Sequence, residues 1–131
     1  MATDQNQYLG NPLLKKANVP VEFTKEQIQE YQKCMDDPVY FIQEYMKIVS
    51  LDEGLVPFKM YDFQKTMVNT FHDNRFTICK LPRQSGKSTT IIAYLLHYVL
   101  FNPNVNVAIL ANKSSTARDI LGRLQLGYEN L

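Results

Sequence analysis

The 131 residues predict an α/β chain: a helical subdomain over residues 23–73, then the opening βαβα part of a parallel sheet over residues 74–131. Three observations predict it. Before residue 74, apolar side chains recur at helical spacing. After it, two short apolar runs, at 75–81 and 105–111, flank a long apolar helical stretch. Between the first run and that stretch stands Ser85-Gly86-Lys87-Ser88. A strand, a helix and a second strand in that order imply parallel strands joined by a right-handed crossover.

Composition agrees. The length suits one domain with one core. Hydrophobic content is 45% and charged content 21%, as in average soluble proteins. A net charge of +1 gives no bulk sign of a nucleic-acid partner. No apolar run is long enough to span a bilayer, so a soluble, intracellular chain with no membrane partner is expected. Cys34 and Cys79 have no metal-type neighbours; Cys79, in an apolar run, is expected to be a buried free thiol in a reducing compartment.

Residues 1–22 show no period and read as an irregular arm, with Leu13-Leu14 as a docking point. Thr24 and Gln27 form a capping-box pattern for a helix over 24–35. Asp37-Pro38 opens the next, Asp as cap and Pro at the first helical position. Phe41, Ile42, Tyr45, Met46 and Val49 form its apolar stripe; Gly54 and Pro57 break it. A third helix spans 61–72, with Phe63, Met67, Val68 and Phe71 on one face, and Asp73-Asn74 ends it. Asp36, Asp37, Asp52 and Glu53 read as caps and solvated turns. The first strand covers 75–81, a loop covers 82–86, and a helix covers 88–101. Asn102-Pro103-Asn104 is a turn, and 105–111 alternates as a second strand. Ser114 or Ser115 caps the last helix, whose inner face carries Ala117, Ile120, Leu121 and Leu124.

Ser85-Gly86-Lys87-Ser88 is the candidate phosphate site. A helix N-terminus presents unpaired N–H groups and a positive dipole end. Gly86 lets the backbone approach an anion closely. Lys87 reaches toward β- and γ-phosphates, Ser88 offers a hydroxyl to Mg²⁺, and Thr89 leads into the helix. The backbone of 83–88, Gln84 and Ser85 included, forms the cradle. The usual first glycine of such loops is replaced by Leu81. Arg83 is either a surface residue or a group that reaches the γ-phosphate and stabilises the charge developing there. Gln64 has an amide suited to the adenine edge, but from the residues alone the exposed helical Gln is the favoured reading. Phe58, Tyr61 or Phe63 would stack on a base or lie in the core. His72 and His97 lack partners at metal-ligand spacing, and His97 reads as structural.

The run Leu81-Pro82-Arg83-Gln84-Ser85-Gly86-Lys87-Ser88-Thr89 resembles the variant P-loop of large terminase subunits of tailed, T-even-type bacteriophages. Similar stretches are Asp37-Pro38-Val39-Tyr40-Phe41-Ile42, Pro57-Phe58, Asp62-Phe63-Gln64, Arg75-Phe76-Thr77-Ile78-Cys79 and Ala108-Ile109-Leu110-Ala111-Asn112-Lys113. The resemblance covers about residues 20–131. It implies a RecA/ASCE-like P-loop NTPase sheet, ATP and Mg²⁺ as cofactors, and ATP-driven packaging of double-stranded DNA into a procapsid. It further implies a portal protein and a small terminase subunit as partners, and a ring on the portal. The place of action would be the host cytoplasm and the procapsid portal, not the mature virion. Carried over by motif, Lys87 and Ser88 bind phosphate and Mg²⁺, Gln64 reads adenine, and Arg83 is a cis-acting arginine finger, catalytic together with Lys87.

The Walker B aspartate, the water-activating glutamate and the nuclease domain of that family have no counterpart before residue 131. The sequence therefore reads as an N-terminal fragment with a truncated sheet, expected to bind ATP weakly and hydrolyse it negligibly. Two other readings stand beside this one: a helicase-type P-loop translocase, and a non-enzymatic docking fragment.

Overall fold

The computed structural model describes residues 7–9, 11–20, 22–50 and 52–131; the side chains of Pro12 and Leu13 also lie outside the described set. Its elements are β1 (Gln7–Tyr8), β2 (Asn11–Lys15), α1 (Lys25–Asp36), α2 (Pro38–Tyr45), β3 (Lys47–Ser50), β4 (Gly54–Pro57), α3 (Asp62–Asp73), α4 (Lys87–Phe101) and α5 (Ser114–Glu129). The chain is mixed α/β, with five helices and two small antiparallel sheets among the described residues.

The first two helices begin where local chemistry requires. Thr24 Oγ1 accepts from Gln27 N at 3.2 Å, and Thr24 N donates to Gln27 Oε1 at 2.9 Å. This is the reciprocal capping box. Asp37 Oδ1 accepts from Tyr40 N at 2.9 Å, with buried Pro38 in the first turn of α2. The core joins α2, α3 and α4 through Phe41, Ile42, Val68, Ala93 and Leu96, with Cys34 of α1 and Met46, Phe58 and Met60 closing it. Ile42, Val68 and Leu96 are essentially solvent-free, so truncating one to alanine costs about 2–5 kcal/mol. His97, also buried, bonds through Nε2 to the Cys34 carbonyl at 2.9 Å and ties α4 to the end of α1. Its structural reading holds.

Several expectations need correction. The helical stripe stops at Met46, and Val49 lies in β3. Lys47-Ile48-Val49-Ser50 is rich in β-formers, and Gly54 at φ +75° permits the return, so 47–57 fold as a hairpin with Ile48 opposite Val56. Part of the arm is ordered as the β1–β2 hairpin, where Leu14 is exposed; Leu13, its partner in the expected docking point, lies outside the described side chains. The buried face of α3 is Gln64, Met67 and Val68, while Phe63 turns outward. Helix α5 is capped by Lys113 without a side-chain hydrogen bond, and its Leu121 is exposed. Gly127 provides its closest approach: a Cβ there would meet Met46 Cε at 3.2 Å and Leu96 Cδ2 at 3.4 Å.

The stretches 75–81 and 105–111 carry no strand pairing among the described residues. Phe76, Ile78 and Leu110 are 83%, 99% and 93% exposed, and Cys79 is exposed as well, contrary to the expected buried thiol. The physical reason is general. An extended segment gains little from its own residues and becomes a strand only when a neighbour takes up its N–H and C=O groups.

Candidate functional site

Residues 82–89 form a tight turn that enters α4. Gly86 is the N-cap in the left-handed region (φ +73°, ψ +13°), which a residue with a Cβ adopts only at a cost. Gln84 is left-handed too (φ +58°), without being glycine. Such positions curl a backbone so that successive N–H groups face one concavity, the geometry of anion-binding nests. No side chain caps α4, so its leading N–H groups have no intrahelical acceptor.

Side chains close the loop on one carbonyl. Lys87 Nζ donates to Pro82 O at 2.6 Å, and Ser85 Oγ donates to the same oxygen at 3.0 Å. The ammonium thus lies across the turn, bound to an exchangeable neutral acceptor. From below, Gly86 O accepts from Thr90 N and from Thr90 Oγ1, each at 3.0 Å. Thr90 is fully buried and anchors the loop to the core. Ser88 is exposed, Thr89 half-buried, and Gln84 exposed. Arg83 is exposed on the turn and makes no ion pair among the described residues.

Gln64 joins this site from α3. It is 2% exposed, far from the surface-Gln reading. Its Oε1 accepts from Tyr61 N at 2.8 Å. Its Nε2 lies against Gly86: a Cβ built there would stand 2.6 Å away. The Tyr61 and Phe63 rings, from the N-cap and first turn of α3, stack at 5.9 Å with 10° between their planes, both exposed. Phe58 is a core residue, so of the three aromatic candidates for stacking it is the one removed from consideration.

The structure therefore brings Gln64, Ser85, Gly86, Lys87 and the start of α4 together, and leaves Arg83, Gln84 and Ser88 on the open side. Sequence reasoning missed the Pro82 carbonyl and Thr90. The first is a backbone atom with no signature. The second had a signal: a threonine four residues after the loop glycine, where a helix hydroxyl bonds back to the i−4 carbonyl.

Comparison with known families gives one finding. Residues 78–130 match the family described as terminase large subunit, T4likevirus-type, N-terminal. The matched stretch starts in the extended segment, contains the whole turn 82–86, and runs through α4 and α5. Over residues 78–130 it bears out the resemblance to large terminase subunits read from the sequence.

Proposed function

We propose that this chain, whose residues 78–130 match the T4-like large terminase N-terminal family, is the nucleotide-binding front of a phage DNA-packaging ATPase. The observation that carries the reading is the left-handed Gly86 opening α4 with Lys87 folded across the turn. An anion arriving at the helix N-terminus meets unpaired N–H groups, the dipole and a lysine that needs only to exchange the Pro82 carbonyl for a phosphate oxygen. A charge-assisted bond to phosphate is stronger than one to a neutral carbonyl, so the exchange is favourable.

In this reading ATP lies with its β- and γ-phosphates on residues 83–88. Ser88, exposed in the first turn, offers one hydroxyl; that suits Mg²⁺, which keeps several waters and takes its other ligands from phosphate. Arg83 stands free to meet the γ-phosphate, where charge grows during transfer. The exposed Tyr61–Phe63 stack offers a flat apolar surface for the base. The extended stretches 75–81 and 105–111, which expose Phe76, Ile78, Val107 and Leu110, serve as strands of a parallel P-loop sheet once neighbours reach them. Double-stranded DNA, the portal and the small subunit are the partners that follow, in the host cytoplasm at the procapsid portal. The helicase reading loses ground because the matched family is a terminase.

The test is nucleotide binding followed by ³¹P NMR with Mg²⁺. Perturbation of the β- and γ-phosphorus resonances by the wild-type chain, lost in Lys87→Ala, supports the reading. Equal perturbation by both chains refutes it.

A further inference from the structure

We infer that Gln64 is a positioning residue for the phosphate loop: it braces Gly86 from α3, so the turn is set for a polyphosphate whatever base is attached. The inference rests on the phosphate-loop reading above and gives Gln64 a role apart from recognising adenine.

Gly86 is held from two sides. Below, its carbonyl takes both the backbone N–H and the hydroxyl of buried Thr90. On its other side, the space a Cβ would need is filled by the Gln64 amide. Gln64 is itself fixed. It sits in the first turn of α3, whose Met67 and Val68 are in the buried interior, and its carbonyl oxygen is committed to Tyr61 N–H. A glycine populates left- and right-handed conformations with similar ease, so nothing in Gly86 alone selects φ +73°. A rigid wall on one side and a double acceptor bond on the other restrict that choice. The same arrangement bears on base reading. Oε1 already accepts from Tyr61 N and Nε2 packs against Gly86, so a paired donor–acceptor contact to adenine would have to share the oxygen's second lone pair and turn the amide nitrogen away from the loop.

The role separates from base recognition when the ligand has no base. Inorganic tripolyphosphate with Mg²⁺ is the probe, compared with ATP–Mg²⁺ by ³¹P NMR titration, with the melting temperature of each variant recorded. Gln64→Ala is expected to weaken tripolyphosphate and ATP by the same factor, about tenfold. A loss confined to ATP, with tripolyphosphate unchanged, overturns the inference and leaves Gln64 as a base contact. Should Gln64→Ala melt the fold, Gln64→Met serves instead, since it keeps the side-chain length, removes the amide against Gly86 and adds no charge beside the phosphates. Weaker tripolyphosphate binding at near wild-type melting temperature supports the inference, and unchanged binding overturns it. Failure of the phosphate-loop reading is distinct: wild-type chain would then bind neither ligand.

Discussion

At the residue scale, His97 shows how burial sets chemistry. Its Nε2 bonds to the Cys34 carbonyl, and the ring packs against Phe101 with centroids 4.8 Å apart. Burial lowers its pKa below the ordinary 6.5, outweighing the carbonyl contact. The fold thus holds a neutral imidazole, and the unfolded chain binds more protons below about 6.5. The stability from this site is whole above that value and is lost as pH falls through the depressed folded value. Thermal unfolding should show a melting temperature that declines on acidification, with a shallower slope in His97→Gln. An identical slope in the variant would exclude His97 as its source. Glu30 gives a second case. Its Oε1 accepts from Tyr40 OH at 2.7 Å and Tyr45 OH at 2.9 Å, which holds the carboxylate below its usual range and pushes Tyr45 up to about 12. Ultraviolet titration should return Tyr45 toward 10 in Glu30→Gln; a phenol still near 12 would contradict the contact.

At the element scale, legibility followed locality. The α1 capping box, the Asp37-Pro38 start of α2 and the end of α3 near Asn74 were readable because each is decided by residues within one turn. The β3–β4 hairpin was missed because Met46 and Val49 fit a helical stripe as well as a strand, and only the left-handed Gly54 arbitrates. The loop glycine and lysine were readable as a motif, whereas burial of Gln64 was not, since a polar residue inside depends on partners distant in sequence. Close packing of α5 was also invisible: Gly127 looks like a weak helix position, yet it seats the helix against Leu96 of α4 and Met46. Gly127→Leu should therefore destabilise the chain by about 1–3 kcal/mol in urea melts, the usual cost of overpacking. A neutral or stabilising result would mean that α5 is not seated there.

At the scale of the whole molecule, a well-packed helical core carries the turn 82–86, whose flanking extended stretches expose Phe76, Ile78 and Leu110. Order and function are thus unevenly distributed, since backbone groups without a partner open freely while those in α3 and α4 are protected. Amide hydrogen exchange should be fast across 76–81 and 105–111 and slow in the buried turns of α4; uniform protection would contradict this picture. ATP binding reads the proposed anion site at the start of α4. ³¹P NMR of ATP–Mg²⁺ with the wild-type chain and with Lys87→Ala should show β- and γ-phosphorus shifts for the first and at least about tenfold weaker binding for the second, as expected for loss of a charge-assisted contact. Binding that is unaffected by Lys87→Ala would contradict it.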